Sequence, residues 1–379
     1  MLNAKLWRHF DFWLMGAVVL LCIFGIAMIR STTFTSPDPA LQGLTNRQIV
    51  FVLIGVVVVF TFSAIDYRLW GSMSATLYVT LLILLAFVVL LGDAVFGARR
   101  WIPLDRIGIP INLQPSELGK FIMVLTLGYY LAANAGQVGQ FAFVIKTLIF
   151  IGVPVAFIIL QPDFSSVILY GVIWFGLLWT SGLRLKHILI LAGVAALVGL
   201  AGFIIALQSD EARYIALRLV NFILPNPASQ EYRDAAYNIE QALISIGSGG
   251  WFGQGYGLGS QVQLRFLKVR HTDYIFASIA HEFGLVGGVI VTLVFAFLIY
   301  RIFRAGQTAR DPYGRLICFG VGLAIMFEAF SNIATNLNLM PVTGSPLPFL
   351  SYGGSSLWTF LIGIGLVESV ILRQKQIEF

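Results

Sequence analysis

The residues best suited to chemistry lie between Gly249 and Gly288, in the run GGWFGQGYGLGSQVQLRFLKVRHTDYIFASIAHEFGLVGG. Arg265, Lys268, Arg270 and His271 crowd ahead of one carboxylate, Asp273, which stands at the mouth of a long apolar segment. A carboxylate among cations can accept a proton while the cations hold a phosphate-bearing group. The commoner role for Thr272 or Asp273 just ahead of an apolar run is to cap a helix, and sequence physics alone ranks capping first. His281 and Glu282 follow deeper in the same segment, and Glu282 lies about 13 Å beyond Asp273 along a helix, too far to touch the same atom. The GQGYGLG glycines are not a nucleotide loop, since no strand precedes them and no Walker lysine follows. They suit tight bends or close backbone approach.

A second concentration is GARRWIPLDRIGIPINLQPSELGK, Gly97 to Lys120. Arg99, Arg100 and Arg106 supply fork-shaped donors for phosphate oxygens. Trp101 has the character of an interfacial anchor. Pro115, Ser116 and Glu117 form a helix start, and Glu117 and Lys120, three apart, share a helix face and can pair. That pair is either local helix support or, because charge at the edge of hydrocarbon is costly, a functional feature. Glu328, Asn332 and Asn336 recur every four residues and project from one stripe, suited to hydrogen bonds between helices or to a ligand. PVTGSPLPFLSYGGSS, from Pro341 to Ser356, cannot form a simple helix, and Gln161, Pro162 and Asp163 make a smaller irregular feature. Such backbone is tolerated at membrane depth where it is buried in protein or lines a cavity. Ser351 joins Trp101, Arg99, Arg100, Glu117, Lys120, Arg265, Lys268 and Arg270 as a candidate substrate-binding residue.

What must position these residues is membrane. The chain is 58% hydrophobic and only 11% charged, with a mean hydropathy of +0.87. Apolar runs long enough to cross about 30 Å of hydrocarbon recur throughout, giving an all-α polytopic protein of about ten spans. Runs such as VTLLILLAFVVLLG are apolar on every side, which excludes a β-barrel. The spans run near Phe12–Ile29, Gln48–Ile65, Ala75–Leu91, Leu118–Ala132, Phe143–Leu160, Ser166–Trp179, His187–Leu207, Tyr274–Tyr300, Leu316–Leu337 and Ser355–Leu372. A large loop of about 208–273 separates spans seven and eight, with an amphipathic helix over Tyr237–Ser248. No internal repeat or soluble domain interrupts residues 1–379, read as a single membrane domain.

An even number of spans puts both termini on one side. Basic residues divide evenly until the long loop, which exceeds the range of the positive-inside rule, is set aside with its Arg213, Arg218, Arg233, Arg265, Lys268 and Arg270. The remaining excess places both termini in the cytoplasm and the unusual segments outside. The net charge of +6 is spread over loops between spans and suits anionic lipid or a phosphate-bearing substrate, not nucleic acid. Cys22 and Cys318 fall inside spans, so no disulfide framework is expected.

Four segments in this order, GARRWI…QPSELGK, QPDFSS, GSGGWFGQGYGLGS with RHTDYIF, and PVTGSPLPFLSYGGSS, resemble the SEDS proteins of bacterial cell-wall synthesis, the RodA and FtsW group. The last segment leans towards RodA, the elongation member, and GLGS towards FtsW; the balance favours RodA and control of cell shape. The resemblance implies a glycosyltransferase that polymerises lipid II into peptidoglycan strands on the outer face of the cytoplasmic membrane. It implies Asp273 as the essential aspartate, with Trp101 and Glu117 as functional residues. It also implies undecaprenyl diphosphate as leaving group, a class B penicillin-binding transpeptidase as partner, and basic side chains or a divalent cation (Mg2+ or Mn2+) steadying the diphosphate. No organic cofactor is expected. The family's usual Pro-Glu pair is Lys268-Val269 here, and its paired glutamate is His281-Glu282. A lipid II flippase, a division-specific polymerase and a noncatalytic scaffold are the alternatives.

Overall fold

A computed structural model of the chain describes residues 7–34, 39–95, 98–103, 112–161, 163–208, 230–342 and 344–374. Ten helices stand where ten spans are expected. They are α1 Phe12–Thr33, α2 Leu44–Ala64, α3 Ser74–Leu91, α4 Pro115–Ala133, α5 Phe141–Ile159, α6 Phe164–Thr180, α7 Leu185–Gln208, α9 Ile275–Gln307, α10 Pro312–Asn336 and α11 Gly354–Leu372. Between α7 and α9 lies α8, Gln230–Gly249, the one strongly amphipathic helix of the set. It contains the expected Tyr237–Ser248 segment and starts earlier. Seven of the helices have the length and hydropathy of full spans, while α3 and α6 are apolar but shorter. α4 carries Glu117 and Lys120 in its first two turns, which lowers its hydropathy without moving it from the bundle.

The helix ends follow from local chemistry. Asp11, Asp66, Asp163 and Asp311 each accept a backbone N–H of the turn that follows, capping α1, the short helix Tyr67–Ser72, α6 and α10. Such caps satisfy donors that hydrocarbon cannot. Pro115 and Pro312 occupy first-turn positions, where a missing N–H costs nothing. Hydrophobicity does not sort the bundle into inside and outside, since side chains such as Leu53, Val57, Leu90, Leu197 and Leu293 point outward to lipid. The centre is formed by α10 and α11, packed against α4, α9 and α2, whereas almost none of α7 is buried. Cys22 and Cys318 are free and buried.

Alternation of direction brings the C-terminus of α1, the N-termini of α4, α6, α9 and α11, and α8 to one end. The first and last described residues, Trp7 and Gln374, lie at the other. At the first end the chain forms a small antiparallel sheet, unanticipated by the sequence patterns, of β1 Asp93–Val95, β2 Ala98–Pro103 and β3 Asn112–Leu113 in the order β1-β2-β3. Trp101 pairs with Asp93, and Ile102 with Leu113.

α9 is broken at Gly284, whose φ of 66° and ψ of −165° leave the helical region. The glycine loop after α8 is spliced into the break. Leu285 and Val286 donate their N–H groups to the carbonyls of Gly250 and Trp251 at 2.8 and 3.1 Å. Gln254 and Gly255 donate to His281 and Glu282, both at 3.0 Å. The loop therefore satisfies backbone groups the break would leave bare, the condition for irregular backbone at this depth. A Cβ on Gly284 would lie 2.4 Å from the Gly253 nitrogen, and one on Gly253 2.1 Å from the Glu282 oxygen. One of the expected close approaches, that of Gly253, is thus located against protein backbone, and Gly284 is a second the sequence did not single out.

Candidate active site

Asp273 does not cap α9. The N-cap of that helix is Tyr274, with no side-chain cap bond, so the commoner role suggested by the sequence is overturned. The reason lies in α10, whose polar stripe faces the residue. Asn332 and Asn336 each donate from Nδ2 to the Asp273 carbonyl at 2.9 Å. Asn336 also accepts the N–H of Ala277 at 3.0 Å, replacing the cap for the first turn of α9. Asn332 donates further to Ser345 O at 2.8 Å, tying in the proline-rich loop. The peptide at Asp273 is therefore fixed by interhelical hydrogen bonds, while its carboxylate has no hydrogen-bond donor among the described residues. The carboxylate is half-buried, and a Cβ on Gly344 would lie 3.8 Å from its Oδ2. Burial raises its pKa from 3.8 to about 6, because the charged form loses hydration without gaining a donor.

The proline-rich loop completes the setting. The hydroxyl of Ser351 donates to Thr272 O at 2.7 Å and accepts the N–H of Leu347 at 2.8 Å. Tyr352 N–H donates to His271 O at 2.9 Å. Ser351 thus holds the backbone that presents Asp273. Gln48, a buried glutamine of α2, donates to Ser351 O and accepts Gly353 N–H, both at 3.4 Å. Sequence reasoning missed Gln48, which follows Thr45, Asn46 and Arg47 at the polar start of its helix and so does not stand out.

The basic cluster divides. Arg270 is buried and donates from Nε to Thr32 O at 2.8 Å, at the C-terminal end of α1, where a cation meets free carbonyls. Burial, with the charge of Arg265 beside it, lowers its pKa. Lys268 is exposed, its ammonium 5.1 Å from the centre of the Tyr237 ring on α8. Arg265 is exposed and held at a φ of 64°. Burial and the Arg270 charge lower His271 to about 4, leaving it neutral at pH 7.

Glu117 and Lys120 do pair, at 2.6 Å, and the lysine takes a second carboxylate, Glu328, from across the bundle. All three side chains are buried, with Lys120 at 2% exposure. Glu328 is one helical turn from Asn332, so the stripe on α10 runs from this triad to the Asp273 peptide. Gln114 and Ser116 lead in from the sheet side, both donating to Asp163 Oδ2 at 2.9 Å. Burial opposes ionisation of Asp163. Hydrogen bonds from Ser166 and Ser116 and the charges of Arg100 and Lys120 outweigh it and hold the carboxyl below its ordinary value. Arg100 donates from Nε to Gln161 O at 2.8 Å, tying β2 to this turn. Trp101 is half-buried on the same strand. Arg106, Pro162, Arg213 and Arg218, with the side chain of Arg99, lie outside the described residues.

His281 and Glu282 are fully buried. The His281 Nε2 accepts the N–H of Gln261 at 3.2 Å, so its proton sits on Nδ1 and is donated to Ser245 O at 2.9 Å. It clamps α8 to α9. Glu282 accepts the hydroxyl of Ser31 on α1. Among the described residues no three His, Cys, Asp or Glu side chains converge as metal ligands, so these side chains do not by themselves build a resident metal site. The arrangement offers one fixed carboxylate that can take up a proton near neutrality, its peptide joined through the Asn332–Asn336 stripe of α10 to the helix that carries Glu328 of the buried ion triad.

The sequence model of the FtsW, RodA and SpoVE family, described as cell cycle proteins, matches residues 12–376. A probable peptidoglycan glycosyltransferase FtsW of Halomonas elongata is 34% identical over 378 residues, covering 97% of this chain and 92% of that one. The protein of the same description from Hydrogenovibrio crunogenus is 32% identical over 374 residues, with the same coverage. Among solved structures, a chain from a peptidoglycan synthase complex, described as coordinating polymerization and crosslinking, superposes with a TM-score of 0.79 at 26% identity, covering 97% of this chain and 99% of that one. The rod shape determining protein RodA of Thermus thermophilus gives 0.69 at 27% identity, covering 97% and 98%.

Proposed function

The chain belongs to the FtsW, RodA and SpoVE family, and from that premise we propose that it is a glycosyltransferase polymerising lipid II into peptidoglycan strands, with Asp273 as general base. The observation that carries this is the Asp273 carboxylate, fixed through its own peptide by Asn332 and Asn336, freed from capping, and raised to about 6 by burial. Ionised at neutral pH yet basic enough to accept a proton, it has the properties a general base needs. In the reaction the acceptor sugar hydroxyl loses its proton to Asp273 and its oxygen bonds to the anomeric carbon of the donor. The bond from that carbon to the diphosphate breaks, the electron pair leaving with undecaprenyl diphosphate, and configuration inverts. Arg99, Arg100, Arg265 and Lys268 are the proposed diphosphate holders, with Trp101 at headgroup depth beside them. Arg270, Ser351 and the Glu117–Lys120 pair support the substrate pocket by holding its walls. A divalent cation would be held mainly by the oxygens of the substrate diphosphate.

The relatives named FtsW weigh towards a role in division over the elongation role favoured by the wording of the proline-rich loop. Similarity to a chain of a synthase complex supports a class B transpeptidase as partner. The loop charges support both termini in the cytoplasm and Asp273 on the outer face of the cytoplasmic membrane, and the shared core of the bundle supports one membrane domain. The test is purified Asp273→Asn protein in proteoliposomes supplied with lipid II. Glycan chains from wild type and none from a folded variant are expected; normal chains from the variant would falsify the assignment. Movement of lipid II across the bilayer without chains, in wild type, would favour the flippase alternative.

A further inference from the structure

The end of the bundle opposite Asp273 holds a cavity of about 330 Å3 between the last turns of α4, α6 and α9 and the first turn of α10. Its walls differ in character. Leu131, Ala132 and Leu316 contribute apolar lining, and Arg310 and Arg315 contribute two guanidinium groups. Both arginines are exposed, and neither has a carboxylate partner among the described residues. The guanidinium of Arg315 lies over the Phe319 ring at 5.7 Å, which orients it without neutralising it. The one acid in the wall, Asp311, is already engaged. Its Oδ2 takes the Arg68 guanidinium at 3.0 Å and the Tyr67 hydroxyl, and its Oδ1 takes the Gly314 N–H at 2.9 Å. The cavity is therefore left with two uncompensated positive charges.

Its depth is marked independently. Trp179, directly before the lining residues Thr180 and Ser181, is 56% exposed on the outside of α6. An exposed indole at the end of an apolar helix sits at headgroup level. A cavity at that depth, lined by both apolar side chains and two guanidinium groups, matches the junction of a lipid's acyl chain and phosphate. Guanidinium forks suit phosphate oxygens, and basic pockets between membrane helices hold anionic headgroups. We propose that this cavity binds the phosphate headgroup of an anionic phospholipid, from the leaflet on the side of Trp7 and Gln374, at a site separate from Asp273.

Native mass spectrometry of the purified full chain, released from mixed phosphatidylglycerol and phosphatidylcholine micelles, tests this. Wild type is expected to retain one phosphatidylglycerol in preference to phosphatidylcholine. The double variant Arg310→Gln, Arg315→Gln should weaken that retention roughly thirtyfold. The charge-matched Lys146→Gln, Lys186→Gln protein, altered at exposed residues of the same end, should retain it. Ala135→Trp, which fills the cavity without changing charge, should lose it while melting as wild type does. Inorganic phosphate at the lipid concentration should neither bind in its place nor displace it. Equal retention of the two lipids by wild type, equal loss in the charge-matched control, unchanged retention in Ala135→Trp, or occupancy by free phosphate would each overturn the proposal.

Discussion

Asp273→Asn should produce a protein that is inactive and more stable at neutral pH. In the folded chain the carboxyl titrates near 6 in place of 3.8, so folding opposes its ionisation. At about 1.4 kcal/mol per pH unit this amounts to roughly 3 kcal/mol. The sign follows from proton binding. Between 3.8 and 6 the folded state binds more protons than the unfolded one, so stability falls as pH rises through that window and is flat beyond it. The asparagine amide has no charge to desolvate and keeps the peptide that Asn332 and Asn336 hold. Its melting temperature in detergent should exceed wild type by a few degrees at pH 7.5, and the gap should close as pH is lowered towards 4. A variant that melts below wild type at pH 7.5, or a gap indifferent to pH, would refute the view that burial alone sets this group and that its poise is a cost borne for activity.

Polymerisation by wild type should rise about tenfold per pH unit below about 6 and level off above it, since the base must be ionised; a pH-independent initial rate over pH 5 to 8 would count against Asp273 as base. Lys120→Met leaves Glu117 and Glu328 buried without their cation and should cost about 3–5 kcal/mol in unfolding, with partial recovery when Glu328→Gln is added. No recovery in the double variant would show that the pair does not act as one unit. Gly284→Ala meets both a positive φ and a contact at 2.4 Å and should fail to give folded protein by size-exclusion, whereas Gly136→Ala, with open space around it, should behave as wild type.

The spans were legible because each is a long apolar run, and lipid permits few other structures for such a run. The stripe of Glu328, Asn332 and Asn336 was legible as a face but not as a destination, since periodicity gives direction and not the partner. Asp273 shows the limit most sharply. Locally it is a cap, and only Asn336, 63 residues further along the chain, removes the need for one. Lys120 had a visible partner three residues away, while its second, Glu328, is 208 residues distant. The small sheet of β1 to β3 escaped notice because its strands are two to six residues long, too short for alternation to register. Gln48 gave no sign of its own, because it continues the polar run of Thr45, Asn46 and Arg47 at the start of its helix.

The break at Gly284 divides the compliance of α9. The turns from Ile275 to Glu282 are buried among their neighbours, the part beyond Gly284 is largely exposed, and the loop after α8 is bolted to both sides of the break, by two backbone bonds to His281 and Glu282 and two to Leu285 and Val286. A displacement of α8 or of that loop is thereby passed to both sides of the break at once, to the outer turns with the aspartate ahead of them and to the first residues of the inner part. The carboxylate is geared to the loop, and the loop in turn splices the two halves of the helix beneath it.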